Sequence, residues 1–166
     1  MPPPPPARAE DVVDAPVGTQ LEVFLDEHRL ALQESVDGLT EEQARRSLVA
    51  SRTTLLGLVK HAAFVERVWF DEAVTGRSRT EIGIPATPDE SFVLSEHDTI
   101  GSVLADHRAA CTASRAATAH LSPDDLLLHN RRGPLPLRWV QLHVLRELAQ
   151  HCGHADILRE QVLGQP

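Results

Sequence analysis

Apolar residues recur at every third or fourth position in four stretches of the chain, and nowhere do they alternate long enough to make a convincing strand. Thr19 can cap a first helix with Leu21, Phe24, Leu25, Leu32 and Val36 on one side and Gly38 at its end. A second helix is predicted to start at Thr53 or Thr54 and run through LLGLVKHAAFVERVWFDEAVTG to Gly76, with Leu58, His61, Val65, Val68 and Trp69 on one face. A third spans Ile100 to Ala119, with Ile100, Val103, Leu104, His107, Cys111, Ser114 and Thr118 near one side. The fourth, LRWVQLHVLRELAQHCGHADILREQV, runs from Leu137 to Val162 and stops at Gly164. Between the first two helices, Thr40 and Gln43 have capping-box spacing for a short turn. From Arg77 to Ser95 a long connection carries two prolines and no helical period, and LLLHNRRGPLPLR, interrupted by Gly133, Pro134 and Pro136, suits a short turn or hairpin. The pattern predicts an all-α fold, an antiparallel four-helix bundle over residues 19–164 with long connections. A disordered Pro-rich arm over residues 1–18 precedes it, because Pro2 to Pro6 favour polyproline II and the residues after them have no period.

Composition narrows the functional classes without choosing one. A chain of 166 residues suits one domain. Its formal charge of −8 disfavours gripping phosphate backbones, so nucleic acid is not an expected partner. No apolar run approaches the roughly 20 residues a membrane span needs, and the N-terminus has neither a basic n-region nor an apolar h-region. A cytoplasmic location, with no membrane partner, is therefore expected. Two cysteines, Cys111 and Cys152, are too few for a disulfide framework and are read as free thiols.

The chemistry concentrates on the fourth helix. Glu147 and His151 lie one turn plus about 40° apart, His154 about 20° to the other side of Glu147 and His143 about 40° off in the preceding turn. Four potential ligands thus share an arc of roughly 80°, flanked by Val140, Val144 and Leu158, which should face a core. Burying such groups unpartnered costs several kcal/mol each, and a divalent cation is the most economical way to satisfy them. In an up-down bundle the second and fourth helices run in the same direction, so His61, placed inside an apolar stripe, can reach this face. His28 is read as a satisfied helix histidine, and His107 and His120 receive no special role. Arg131 and Arg132 are read as solvated, meeting an anionic substrate only if their loop borders the pocket.

LLGLVKHAAFVERVWF in the second helix and LRWVQLHVLRELAQHCGHADILRE in the fourth resemble the DinB-like superfamily, in particular its actinobacterial branch related to mycothiol-dependent enzymes. The resemblance covers about Leu21 to Gly164. Mycothiol-dependent maleylpyruvate isomerases resemble this chain in using Glu-x-x-x-His on the fourth helix. The resemblance implies His61, Glu147 and His151 as metal ligands and gives His154, in a Gly-His-Ala-Asp segment, a catalytic or substrate-facing role. Three ligands and an open position describe a catalytic zinc site, although nickel, iron and manganese also suit two imidazoles and a carboxylate. The implied activity is a metal-dependent enzyme that uses a low-molecular-weight thiol such as mycothiol for S-transfer or thiol-assisted isomerisation, with an electrophile as second substrate. A non-catalytic metal-binding stress protein, acting as a homodimer through exposed helical faces, is the competing expectation, and a metal-assisted hydrolase is a third.

Overall fold

The computed structural model describes residues 7–164, so Pro2 to Pro6 of the proposed arm lie outside the described residues. From Ala9 onward the residues of that arm carry helical turns. Ala9–Val12 form a 3-10 turn, Val12 is buried, and Gln20 donates through Nε2 to the carbonyls of Val12, Val13 and Ala15. Helix α1 (Val17–Glu34) therefore begins two residues before Thr19, with Pro16 at its N-cap. Its buried face carries Leu21, Leu25 and Leu32 as the spacing predicts, and adds Arg29.

Helix α2 (Glu41–Arg45) is the short turn expected after Thr40, whose hydroxyl accepts from the Gln43 amide while the Gln43 side chain accepts from the Thr40 amide. Helix α3 (Leu55–Glu66) starts where Thr54 Oγ1 accepts from the Gly57 amide at 3.0 Å. Every residue of α3 except Lys60 is buried, so this is a core helix, apolar nearly all round. It passes into a π-helical turn at Arg67–Glu72 and then α4 (Ala73–Thr75), ending at Gly76 with φ 72°, the left-handed cap that glycine supplies.

The long connection that follows is more structured than its lack of period suggests. Ser78 and Glu81 form a reciprocal capping box on α5 (Arg79–Ile82), and Asp89–Phe92 make a further 3-10 turn. The segments are too short for a hydrophobic period to register. Helix α6 (Ile100–Thr118) is capped by Thr99. Strands β1 (Leu126–Leu127) and β2 (Leu135–Pro136) then pair antiparallel, Leu126 opposite Pro136, the hairpin alternative for this stretch. Helix α7 (Leu137–Leu163) completes the chain.

The fold is thus all-helical apart from one two-stranded ladder. Helix α1 packs against α7 and α3 against α6, while α3 and α7 also touch. Their shared core includes Leu25, Leu32, Leu56, Leu58, Val140, Val144 and Leu148, each at most 2% exposed. Full burial of such side chains contributes about 1.5–3 kcal/mol each. The α3–α7 contact brings the histidine of one helix to the ionisable stripe of the other. Among the described residues no helix is long and apolar enough to cross a membrane.

Candidate metal centre

His61 is held in one orientation by a segment distant in sequence. Its Nδ1 lies 2.6 Å from Ser91 Oγ, and the Ser91 hydroxyl in turn donates to the Pro88 carbonyl. A serine has one hydroxyl proton, so Oγ must accept from His61 Nδ1–H, leaving the lone pair on Nε2 free. Phe92 fixes the plane of the ring, stacking on His61 with centroids 4.0 Å apart and planes 13° apart. Gly57 makes this approach possible: a Cβ there would sit 3.1 Å from the Phe92 carbonyl oxygen and 2.9 Å from Thr54 Oγ1. Ser91 and Phe92 have no signal in the sequence that ties them to His61. The absence of a side chain at Gly57, one turn before His61, is the nearest to one.

On α7, two of the four residues on the shared arc, the pair the family resemblance implies, meet that ring. One ligand atom each from His61, Glu147 and His151 lie within 4.8 Å of one another, the separation a single ion can bridge. His61 and His151 meet edge to face, with ring centroids 4.9 Å apart. His151 Nε2 and Glu147 Oε2 are 3.7 Å apart, too far for a hydrogen bond. Both ring nitrogens of His151 are buried without a hydrogen-bond partner. An orphaned buried imidazole is costly, so the donor set fits a cation that would accept a lone pair here.

Electrostatics agree with that chemistry. Burial, reinforced by His151, pushes His61 down to about 4, so it is a neutral imidazole with an available lone pair at physiological pH. The His151 ring, together with His143 and His61, holds the Glu147 carboxyl below its ordinary range against the opposing effect of burial. His61 thus offers a neutral nitrogen and Glu147 an anionic oxygen beside the His151 ring.

The other candidates are placed differently. His154 is exposed, with its ring centroid 5.9 Å from that of His151, and it lines a shallow hollow with Val49, Ser51, Thr53, Ile157 and Leu158. His143 is not in the ligand group; its Nδ1 accepts from Arg146 Nη2 at 2.8 Å, and its ring lies parallel to Trp139. The His28 ring is satisfied locally, with Nδ1 2.7 Å from the Phe24 carbonyl. Neither cysteine is a ready nucleophile, since burial pushes Cys111 up to about 12 and Cys152 up to about 11.

Comparison with known proteins agrees with the helical scaffold. A crystal structure of a conserved protein from Enterococcus faecalis superposes with a TM-score of 0.61 at 18% identity, covering 90% of this chain and 98% of that one, a likeness of fold alone. No curated protein matches the chain. The profile of the mycothiol-S-transferase family matches residues 20–164, nearly the entire described chain and both halves of the candidate centre, and the protein belongs to that family.

Proposed function

We propose that this protein is a divalent-metal-dependent thiol transferase, with mycothiol as the thiol and a small electrophile as second substrate. The observation that carries the reading is the convergence of a fixed Nε2 lone pair on His61, the Glu147 carboxylate and a His151 ring whose two nitrogens have no hydrogen-bond partner. The scaffold is read as an antiparallel four-helix bundle of α1, α3, α6 and α7, opened at one point of its core for chemistry.

His61, Glu147 and His151 hold the ion, with zinc the first choice for two imidazoles and a carboxylate and nickel, iron and manganese as alternatives. A cation held there supplies the positive charge that favours thiolate over thiol near neutral pH. Ser91 keeps His61 in the tautomer that donates from Nε2, and Phe92 prevents the ring from rotating away. His154, exposed beside His151, is the group placed to accept the thiol proton as the sulfur approaches. The hollow bordered by Val49, Ile157 and Leu158 receives apolar parts of the bound molecules.

Metal analysis of protein purified without an affinity tag is expected to find one divalent ion per chain, and His61→Ala, Glu147→Ala and His151→Ala each to abolish it. Full occupancy in the triple variant would sink the centre. Calorimetric titration with mycothiol, followed by turnover with an electrophile panel, tests the reaction. Metal binding without thiol binding would refute thiol transfer.

A further inference from the structure

One side of the centre carries a concentration of positive charge on aromatic rings that the metal ligands do not use. One turn before Glu147 on α7, about 6 Å along the axis, the His143 ring lies 4.1 Å by centroid from Trp69 and 5.2 Å from Trp139, parallel to the latter within 5°. Trp69 belongs to the π-helical turn that extends α3, a local widening often found at functional sites. The Arg132 guanidinium, from the hairpin loop, sits over both indoles, 5.8 Å from the Trp69 ring and 5.9 Å from the Trp139 ring. Arg146 reaches the same place from α7 through its bond to His143.

These two arginines differ from others in the molecule. Arg29, Arg67, Arg79 and Arg115 each face a carboxylate. No carboxylate pairs with Arg132 or Arg146 among the described residues, although the chain as a whole carries a net charge of −8. Stacking on an indole holds a guanidinium in place while leaving its N–H edge free to bind an anion in plane. Arg132 and Arg146 are exposed and Trp139 is 37% exposed, so part of an indole and two donor groups are open to a ligand.

We infer that Trp69, Trp139, Arg132 and Arg146 form the recognition site for the electrophile, and that the electrophile is a planar molecule bearing a carboxylate. The inference rests on the thiol-transfer reading for its direction, since His143 and Glu147 put this site beside the candidate metal centre. The carboxylate pairs with Arg132 and Arg146, the planar skeleton lies on the exposed indole, and its reactive carbon faces the incoming sulfur. With an aryl chloride the step balances simply. The thiol loses its proton to His154, a carbon–sulfur bond forms at the ring carbon, and the carbon–chlorine bond breaks with chloride leaving on its electron pair.

Trp69 and Trp139 are the only tryptophans of the chain, so intrinsic fluorescence reports on this site directly and without turnover. The probes are 4-chloro-3-nitrobenzoate and its methyl ester, which differ in one charge. The acid is expected to quench with an affinity about tenfold higher than the ester, the effect of a charge-assisted pair. In Arg132→Ala/Arg146→Ala, whose exposed positions leave the fold intact by circular dichroism, the preference is expected to vanish. His61→Ala is expected to retain the preference while losing the metal. Equal binding of acid and ester, or a preference that survives the double arginine change, would overturn the inference. Turnover of the two probes with mycothiol separates the two claims: discrimination in binding with no turnover of either probe supports the anion site and overturns thiol transfer.

Discussion

Two buried histidines on neighbouring helices, His61 on α3 and His107 on α6, have the same electrostatic signature and opposite chemical meaning. Burial pushes both down to about 4, and each lies among the buried residues of its helix. At His107 both nitrogens are occupied. Gln33 Nε2 lies 3.1 Å from Nδ1, and Cys111 Sγ lies 3.5 Å from Nε2. The Gln33 amide is oriented by Arg108, which donates to its Oε1, so Gln33 donates to His107 and no lone pair is left. Beside it Arg29 meets both oxygens of Glu66, at 2.8 and 2.7 Å, and also Asp26, which Arg115 pairs from the other side. That cluster is closed on itself. At His61 one nitrogen is anchored by Ser91 and the other faces Glu147 and an unpartnered His151. A perturbed imidazole marks burial in either case; open valence is what separates a site from a structural network.

The contrast is broken most strongly at the closed cluster. Arg29→Ala leaves Glu66, wholly buried, without its countercharge, and is expected to lower unfolding stability by about 3–5 kcal/mol in denaturant titration. Metal content per folded chain should not change, and if it does the two clusters are not independent. At the open cluster, Ser91→Ala releases the His61 tautomer and is expected to weaken metal affinity by about 10–100-fold, measured by chelator competition. An unchanged affinity would show that Phe92 alone positions the ring.

Acid sharpens the comparison further. Between about 4 and 6.5 the unfolded chain binds a proton at residue 107 that the folded protein refuses, so stability falls as pH falls through that window. Burial is the main cause; Arg29 and Arg67 reinforce it, while Glu66 and Asp106 oppose it. The slope is about 1.4 kcal/mol per pH unit from this residue, and His107→Gln is expected to remove it from the pH–stability curve of metal-free protein. The smallest effect belongs to Cys152→Ser. With its thiol pushed up to about 11, this residue is no nucleophile, and thiol-transfer rates should stay within about twofold of the parent.

Much of this architecture is legible in the residues themselves, for reasons that differ by element. The long helices follow from hydrophobic period, and α6 and α7 begin where the spacing puts them because Thr99 and the Pro134–Pro136 stretch delimit them. The 3-10 turn at Ala9–Val12 and α5 escape because four residues cannot display a period, and capping hydrogen bonds or a buried Val12 define them instead. On α7 the arc of His143, Glu147, His151 and His154 is readable from 3.6-residue geometry, but that geometry ranks none of the four. Trp69, Arg132 and Trp139 come from three separate elements, and no spacing rule links them.

By itself the sequence determined which residues face a common side of each helix, because that depends only on a local period. It also supplied the donor types, Glu147 and His151 one turn apart and His61 in an apolar stripe. Only the tertiary structure decided which of these came together. The α3–α7 contact set the meeting point, Gly57 admitted the loop bearing Ser91 and Phe92, and those contacts fixed which nitrogen of His61 is free. Hydrogen-bond closure decided the rest: His107 was satisfied by Cys111 one turn on in its own helix and by Gln33 from α1, whereas His151 was left with two buried nitrogens and no hydrogen-bond partner.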